Sequence, residues 1–371
     1  MVLNITSALK PRPTGIARFV EGLVPALLED SGRTDTDYRL GVRPHRWTSR
    51  GHSPIARRER RRIRPLVAPY RLFLGKIDLL HSLGAWLPPE SPAFPSIVTI
   101  HDVHTIDRPA LVTEKRARNR SEKLRRSAAV ATAIVTPSEF TRGRVIELFD
   151  RDPKTVFAVH HGLDRAAFPE TEREGEAPPF DRPFVLGSGQ APERKRGDLL
   201  IEAWERSKAS REVDLILVGG RGEECPILEP ARVELARRDR VHLLGHVPDG
   251  EMLRLYRHAV GCLQTSEYEG FGFPVLEAMA LSCPLAATDI PAFREVVGDS
   301  GAAEFFEPGS VDACAAAIDR LVEARDNRNA RATAGVERAR EFSWSSTARA
   351  MADVYRAVLL GFSTDASSPT A

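Results

Sequence analysis

The chain has 371 residues, of which 42% are hydrophobic and 28% are charged, and this composition is typical of a globular protein with a sizeable core. At about 150 residues per domain, such a length predicts two domains. Lys and Arg number 53 and Asp and Glu number 51, so the net charge of +2 excludes a polyanion-binding protein of high overall charge. No apolar run reaches the ~18 residues that a membrane-spanning helix needs.

The four cysteines lie far apart in the sequence, at Cys225, Cys262, Cys283 and Cys314. No two of them have the CxxC spacing of common zinc and iron–sulfur sites, and no disulfide framework is indicated. Each cysteine lies in an apolar stretch, so we expect buried thiols. We therefore place the protein in the cytoplasm and predict neither a resident metal nor a cofactor.

Short apolar runs alternate with helical segments along the whole chain. In the first half the predicted strands are residues 2–6, 77–83, 96–102, 133–138 and 156–162. In the second half they are residues 183–189, 214–220, 241–247, 261–266, 284–290 and 302–308. Most of the runs are continuously apolar, which is typical of parallel strands covered by helices on both faces. The alternation predicts an α/β fold with two doubly wound, Rossmann-like domains.

An acidic, proline-rich stretch at residues 169–183 separates the two sets of strands. We predict an N-terminal domain at residues 1–170, a linker at 171–182 and a C-terminal domain at 183–345. A helix at 346–362 is expected to pack back on the N-terminal domain, and a disordered tail follows at 363–371. Ligands of such sheets bind beyond the carboxyl ends of the strands. We therefore expect the site in a cleft between the two domains.

Positive charge is concentrated in two runs of the first half. Residues 43–76 hold eleven Lys and Arg against one acid, Glu59, and residues 115–126 hold seven against Glu122. The runs suit either solvated helix faces or a basic surface that faces an anionic membrane or acceptor, because clustered cations raise the local potential. No nucleic-acid recognition motif accompanies them, so nucleic acid is not an expected partner.

The most informative stretch is residues 267–280, EYEGFGFPVLEAMA, which follows a predicted strand. Pro274 suits the first turn of a helix. Gly270 and Gly272 let the backbone approach a ligand without interference from a Cβ atom. The amides at the start of this helix would form an anion site that suits a diphosphate.

Two glutamates of this stretch are candidate ligand-binding carboxylates. Glu269 lies in the loop, and Glu277 lies about one turn inside the helix. A carboxylate accepts hydrogen bonds from sugar hydroxyls, so the pair can hold two parts of one ligand. An isolated pair at this spacing would indicate only a strand–loop–helix turn, but the glycines and the preceding strand favour a ligand site.

At these residues the chain resembles the retaining glycosyltransferases of family 4. The motifs that carry the resemblance are PTGIARF (13–19), TIHDVHTI (99–106), IVTPSEFTR (134–142), VHHGLD (159–164), PERKRGDLLIEAW (192–204), VHLLGHVPDGEMLRLYRHA (241–259), the stretch 267–280 and FSW (342–344). Their order and spacing are similar to that family over nearly the whole chain. The resemblance implies the GT-B fold, with an acceptor-side N-terminal domain and a C-terminal domain that binds a nucleotide sugar.

The resemblance also implies roles for individual residues of the C-terminal domain. Glu277 would hold the nucleotide ribose, and Glu269 would face the donor sugar. Arg194 and Lys195 match the family's basic pair, whose charges would neutralise the departing diphosphate. The residues around the sugar and phosphate would be Gly270, Phe271, Gly272, Phe273 and Val275. Many members carry another arginine where this chain has Gly189, so the set of phosphate contacts here is expected to be smaller or differently built.

In the N-terminal domain, Gly15 resembles the family's glycine-rich loop near the donor phosphates, with Thr14 in place of a second glycine. His101 ends a predicted strand and is the candidate for binding the sugar or positioning the acceptor near the reacting carbon. Asp102 is the candidate for orienting it. The residues left between a functional and a structural role are Arg18, His104, His160 and His161.

The resemblance implies front-face attack, in which the acceptor hydroxyl enters on the side from which the diphosphate leaves. The leaving phosphate would take the acceptor proton, so Glu269 and His101 would position and stabilise without forming a covalent intermediate. No D-x-D motif stands at the end of a strand as a metal–nucleotide ligand. We therefore predict a metal-independent reaction.

The pieces IHDVHT (100–105) and EYEGFGFP (267–274) are most similar to mannosyltransferase-type members. GDP-mannose is therefore the favoured donor, ahead of UDP-glucose or another UDP-sugar. We expect the acceptor to be a hydroxyl of a glycan or of a lipid-linked sugar, with the basic runs as candidates for peripheral contact with an anionic inner membrane surface. The alternatives are an epimerase or phosphorylase on the same fold and a non-catalytic binding partner.

Overall fold

The computed structural model describes residues 1–9, 14–34, 36–88, 94–163, 180–188, 193–219, 228–324 and 328–362. The chain divides into two compact units, Met1–Gly162 with Phe342–Ala371, and Leu163–Glu341. The first boundary, at Gly162, lies eight residues before the predicted domain end at 170, and the second, at Glu341, lies four residues before the predicted end at 345. Most of the predicted linker, Gly189, Cys225 and the predicted tail lie outside the described residues, and the linker and the cleft stay predictions.

The first unit contains a parallel sheet. Its strands are β1 (Val2–Asn4), β2 (Arg39–Val42), β3 (Ile63–Pro65), β4 (Leu80–Ser82), β5 (Ser96–Thr99), β6 (Ala133–Thr136) and β7 (Val156–Ala158). Within the described residues, these seven strands have the order β3-β2-β1-β4-β5-β6-β7, and all their pairings are parallel. The order reverses between β1 and β4, so the sheet is doubly wound.

The second unit repeats this architecture. Its strands are β8 (Phe184–Gly187), β9 (Asp214–Val218), β10 (Val241–Gly245), β11 (Gly261–Gln264), β12 (Leu285–Thr288) and β13 (Ala303–Phe306). Their order in the described part of the unit is β10-β9-β8-β11-β12-β13, again with parallel pairings throughout. The prediction of two doubly wound, Rossmann-like sheets is confirmed.

The helices connect these strands. They are α1 (Gly15–Thr34), α2 (Pro54–Arg58), α3 (Tyr70–Leu74), α4 (His104–Asp107), α5 (Glu114–Val130), α6 (Glu139–Phe149), α7 (Gly197–Arg206), α8 (Glu229–Val233), α9 (Asp249–His258), α10 (Phe273–Ala280), α11 (Pro291–Val297), α12 (Val311–Glu323), α13 (Arg328–Ala339) and α14 (Trp344–Leu359). Within the described ranges, no helix has both the length and the apolar character that crossing a bilayer requires.

The last helix, α14, belongs to the first unit and packs on α1. A Cβ atom added to Gly22 of α1 would clash with the indole of Trp344, so the two helices approach closely at this position. Met351, Val354 and Val358 of α14 join the buried core of the first unit. The final helix is therefore part of the packing of the first sheet.

All eleven predicted apolar runs contain a strand, but the apolar pattern does not predict β2 and β3. Arg39 opens β2 within a charged stretch, and β3 is only three residues long, IRP, inside an arginine-rich run. Both strands lie toward one side of the sheet, and β3 is its edge, where burial on two faces is not required. Cys262, Cys283 and Cys314 are buried thiols, as expected.

Candidate active site

The sequence-predicted residues of the second unit meet where its strand order reverses. β8 and β11 are neighbours in the sheet, although β9 and β10 separate them in the chain. The loop with Arg194 and Lys195 follows β8, and the loop with Glu269 follows β11. Both loops therefore stand at the carboxyl edge of the sheet, at the topological switch point where ligands of such folds bind.

Glu269 is an ionised carboxylate held by both predicted cations. Arg194 Nη1 pairs with its Oε2, Lys195 Nζ lies 3.3 Å from its Oε1, and Ser266 Oγ donates to Oε1 at 3.1 Å. Burial alone would raise the pKa of Glu269, but the charges of Arg194 and Lys195 and the hydrogen bonds outweigh it and lower the pKa to about 2. Burial also lowers the pKa of Lys195, against the opposing charge of Glu269.

Hydrogen bonds tie the two loops together. The Glu267 amide donates to the Arg194 carbonyl at 2.8 Å, and Thr265 Oγ1 donates to the Lys195 carbonyl at 2.8 Å. In the opposite direction, Arg194 Nη1 donates to the Tyr268 carbonyl at 2.7 Å. Because each bond joins the loop after β8 to the loop after β11, the cluster of charges is preorganised.

The start of α10 has the geometry of an anion site. Gly272 precedes the helix with a φ of +130°, a backbone conformation that residues with a Cβ atom rarely adopt. A Cβ atom there would come within 2.9 Å of the Phe293 ring. Pro274 stands in the first turn, where its missing N–H costs no hydrogen bond. Amides in the first turn of a helix point outward along its axis, and their positive ends suit an anion.

The other residues predicted around the sugar and phosphate lie in or beside this turn. Gly270, Phe271 and Val275 are buried, and Phe273 is half-buried. The rings of Phe271 and Phe273 meet edge to face with centroids 5.4 Å apart. The two rings therefore brace the loop that leads into α10.

Glu277 is 6% exposed, one turn inside α10, and a chain of hydrogen bonds holds it. Tyr256 OH donates to its Oε2 at 3.1 Å and lies 2.7 Å from Ser188 Oγ. Gln264 Nε2 donates to Ser188 Oγ at 2.7 Å. Since the phenol has a single proton and gives it to Glu277, the bond between Ser188 and Tyr256 must have the serine as its donor.

Sequence reasoning missed Tyr256, Ser188 and Gln264. Tyr256 lies in the motif VHLLGHVPDGEMLRLYRHA (241–259), but that motif does not single it out, and its side chain is 1% exposed. Ser188 and Gln264 are at the ends of predicted strands. A polar residue directly after a buried strand was the signal that could have identified them.

In the first unit, His101 follows β5 and both of its ring nitrogens are engaged. Its Nε2 lies 3.1 Å from the Leu83 carbonyl, and its Nδ1 lies 3.3 Å from His161 Nε2. A carbonyl only accepts, so Nε2 carries the proton. Burial lowers the pKa of His101 to about 4, against the opposing effects of the Leu83 bond and a nearby carboxylate. At neutral pH, Nδ1 is therefore unprotonated and accepts from His161.

Aromatic rings surround this pair of histidines. The Phe19 centroid lies 5.0 Å from that of His101, edge to face, and 4.4 Å from that of His161. Trp344 stacks on His161 at 6.4 Å. His161, left between two roles by the sequence, thus belongs to the same cluster as His101. His160 lies outside this pair, with its ring 5.5 Å from Phe342.

Asp102 is held by a residue of the second basic run. Arg120 Nη2 donates to both of its carboxylate oxygens at 3.1 Å, and His104 Nδ1 pairs with Oδ1. Arg120 of residues 115–126 therefore contacts a carboxylate and keeps 31% of its side chain exposed, so the run is not in contact with solvent alone. Sequence spacing missed this pair because Asp102 and Arg120 belong to different elements.

Gly15 is the first residue of α1, which follows β1 at the reversal of the first sheet. Thr14 Oγ1 accepts from the Ala17 amide at 3.4 Å, so Thr14 caps the helix. Arg18 is exposed one turn further along α1. The predicted loop residues before Thr14 lie outside the described part of the chain.

Two doubly wound sheets, with a helix start suited to an anion and two carboxylates at the switch point of the second sheet, fit a GT-B glycosyltransferase. The family model described as "Glycosyl transferases group 1" matches residues 169–338. An MMP alpha-(1->4)-mannosyltransferase from Mycolicibacterium hassiacum is 30% identical over 297 residues, which cover 76% of this chain and 71% of that protein. The chain belongs to the glycosyl transferases group 1 family and is a glycosyltransferase.

Other similar proteins agree with this class. An O-antigen chain mannosyltransferase B from Escherichia coli is 28% identical over 269 residues, 70% of each chain. Sucrose-phosphate synthase from Thermosynechococcus elongatus has a similar solved structure, with a TM-score of 0.74, 20% identity and coverage of 97% of this chain and 99% of that one. The structure of Anabaena HepE in complex with UDP-glucose has a TM-score of 0.68 at 15% identity and covers 96% of this chain and 99% of that one. The two structures support the fold.

Proposed function

We propose that this glycosyltransferase is a retaining enzyme of family 4 that transfers mannose from GDP-mannose to a hydroxyl of a glycan or lipid-linked acceptor. The observation that carries the proposal is the arrangement at the second switch point. Arg194, Lys195 and Glu269 form one charge cluster there, and Glu277 lies buried one turn inside α10. Mannosyltransferases among the similar proteins support the choice of sugar.

In the proposed reaction, the chain binds and positions the donor. Glu277 accepts hydrogen bonds from the ribose hydroxyls, and the amides at the start of α10 bind the diphosphate together with Arg194 and Lys195. Glu269 keeps the two cations in place and accepts from the donor sugar. These groups stabilise the negative charge that develops on the leaving diphosphate.

The transfer itself exchanges one bond at the anomeric carbon for another. The bond from that carbon to the diphosphate oxygen breaks, and the acceptor oxygen bonds to the same face. The acceptor proton passes to the departing phosphate oxygen. His101 positions the acceptor side and is not the base, because Nε2 is protonated toward Leu83 and Nδ1 accepts from His161.

A UDP-sugar is the second candidate donor. The solved structure of Anabaena HepE with UDP-glucose, which shares the fold, favours it. A non-catalytic role has less support, because the charge cluster and the buried Glu277 would serve no purpose in a scaffold. We also propose a cytoplasmic protein that works at the inner membrane surface, where a lipid-linked acceptor would be presented.

A thermal-shift and hydrolysis screen tests the donor. GDP and GDP-mannose are expected to stabilise the protein, by about 2.7 kcal/mol at a hundred times Kd, whereas UDP, UDP-glucose and UDP-N-acetylglucosamine are expected to stabilise it less. Hydrolysis of GDP-mannose without acceptor should be slow. Stabilisation by uridine nucleotides alone would select the second candidate, and no shift with any of them would contradict both.

Chelation tests the independence from metal. We expect full turnover in EDTA, because Arg194, Lys195 and the α10 amides supply the positive charge that the leaving diphosphate requires. The measurement is the initial rate in EDTA and after restoring an excess of Mg²⁺ or Mn²⁺. A rate that falls in EDTA and returns with either cation would contradict the prediction.

A further inference from the structure

A cavity of about 470 Å³ opens on the first unit beside the edge strand β3. Four arginines and one acid are among its lining residues, together with an aromatic side chain: Arg39, Arg61, Arg62, Arg64, Asp37 and Phe73. The charged side chains of the lining therefore carry a net charge of +3. Such a concave, arginine-lined site suits a phosphate group, because one guanidinium group can donate two parallel hydrogen bonds to two phosphate oxygens.

This cavity is separate from the His101 cluster of the same unit. Tyr38 lies directly before β2, and Arg62 lies directly before β3, so the cavity stands at the amino ends of these parallel strands. His101 follows the carboxyl end of β5, at the opposite edge of the same sheet. A ligand in the cavity would therefore not occupy the surroundings of His101.

Neighbouring groups brace three of the arginines. Arg39 pairs with Asp37 at 3.1 Å and donates to the Leu74 carbonyl. Arg62 Nη1 donates to the Tyr38 carbonyl at 3.2 Å and lies 3.8 Å from Asp37.

Arg64 Nη1 donates to the Arg61 carbonyl at 2.8 Å. The acids nearby are few. Asp37 is shared between two arginines, and Glu59 lies 3.4 Å from Arg62 and 3.5 Å from Arg58. Residues 57–76 hold eight Arg and Lys against Glu59, so the surface stays strongly positive after these pairings.

Two apolar side chains protrude beside the arginines. Leu72 and Phe73 of α3 are 73% and 40% exposed, and Phe73 also lines the cavity. Among the described residues, large apolar side chains with such exposure are few, and α5, which carries the second basic run, has none. Apolar side chains next to cations are typical of surfaces that enter the boundary between lipid headgroups and acyl chains.

We propose that Arg61, Arg64, Leu72 and Phe73 form a docking surface for an anionic phospholipid bilayer, with one lipid phosphate in the cavity. This proposal adds a binding surface to the proposed location at the inner membrane surface. It rests on that location and not on the proposed donor or reaction. The charge of the cavity selects anionic headgroups, and Leu72 and Phe73 add apolar contact with the acyl boundary. A soluble phosphorylated ligand would use the arginines but would leave Leu72 exposed.

Co-sedimentation of the full chain with vesicles tests the docking surface. We expect binding to phosphatidylcholine vesicles that contain about a third phosphatidylglycerol, and none to pure phosphatidylcholine. Salt should weaken the binding. The double variant R61E/R64E should lower the partition coefficient at least about tenfold, because each cation near an anionic surface adds to the affinity. L72D should also lower it, by about the same factor.

Matched controls separate this surface from general attraction. K115E/R118E reverses two charges of the second basic run, and L360D changes a leucine directly after α14 that is 65% exposed. Both should bind vesicles nearly as wild type does. Equal losses in the controls and in R61E/R64E, or no binding by wild type, would overturn the proposal.

A second arm distinguishes a bilayer from a soluble ligand. Glycerol 3-phosphate that stabilises wild type but not R61E/R64E, in a protein that ignores vesicles, would assign the cavity to a soluble phosphate and overturn the docking role. The vesicle assay contains neither donor nor acceptor, and all variants should keep their thermal shift with the donor nucleotide. Failure of docking and failure of the proposed transfer are thus observed separately.

Discussion

Replacing Glu277 by alanine is expected to raise the donor KM at least about a hundredfold, because the proposed binding of two ribose hydroxyls by this buried carboxylate supplies two charge-assisted hydrogen bonds of about 1.5–3 kcal/mol each, which the variant loses. The donor Kd, measured by calorimetry, should rise by a similar factor. Y256F keeps the carboxylate and the aromatic ring but removes the hydroxyl group that donates to Glu277 Oε2 at 3.1 Å. We expect a smaller rise for Y256F, about five- to tenfold.

Two measurements separate binding from folding in this experiment. The matched control is E202A, which removes a glutamate from an exposed ion pair with Arg206 on α7 and should leave the donor Kd unchanged. Thermal unfolding without nucleotide shows whether the E277A chain still folds. If folded E277A binds donor as tightly as wild type does, the ribose role is wrong.

The first unit is expected to lose stability on acidification well before the second. His81 is fully buried, with Nδ1 at 2.8 Å from Tyr355 OH and Nε2 at 2.8 Å from Thr99 Oγ1. Burial lowers the pKa of His81 to about 3 and that of His101 to about 4, and it lowers the pKa of His161 well below its ordinary value.

The sign follows from where the protons bind. An unfolded chain protonates these histidines near pH 6.5, whereas the folded unit does so only near pH 4 or below. Between these values the unfolded state binds more protons, so the stability present above about pH 6.5 is lost as the pH falls. Each histidine contributes a slope of about 1.4 kcal/mol per pH unit. Glu269 affects stability in a lower pH range, because the stabilisation that it contributes is lost only as the pH falls from about 4.5 toward its folded pKa of about 2.

Urea unfolding at several pH values measures these slopes. Three of the four tryptophans, Trp47, Trp86 and Trp344, belong to the first unit, and Trp204 belongs to the second, so a W204F background reports the first unit alone. H81Q should reduce the slope of the unfolding free energy against pH, between pH 6.5 and 4.5, by the contribution of one histidine, about 1.4 kcal/mol per pH unit. The control H52Q changes an exposed histidine and should not alter it. Equal slopes in wild type and H81Q would contradict the prediction.

The local sequence was sufficient to predict a feature when all of its residues lie in one strand or in one loop and the helix that follows it. The continuous apolar runs predicted eleven strands, and residues 267–280 predicted a loop with two glycines and Glu269, followed by a helix that holds Glu277. The partners of those glutamates come from other elements. Tyr256 meets Ser188 across 68 residues of sequence, and Arg194 meets Glu269 across 75, so the pairing depends on sheet order.

Charge composition alone was a weaker guide to position. Arg120 belongs to a run that suited a solvated face, yet it pairs with Asp102. The run at residues 43–76 contains the edge strand β3 without indicating it, because Arg64 and Pro65 give that strand no apolar pattern. A count of cations does not show which ones a carboxylate neutralises, and only the fold separates them.

The chain of hydrogen bonds from Gln264 through Ser188 and Tyr256 to Glu277 has a fixed direction. It begins at a carboxamide, which gives hydrogen bonds but does not release its protons at physiological pH. The chain therefore cannot conduct a proton from Gln264 to Glu277. Glu277 is thus oriented as an acceptor and receives no proton through this chain of hydrogen bonds, which agrees with the proposed role of its carboxylate in binding the ribose rather than in proton transfer.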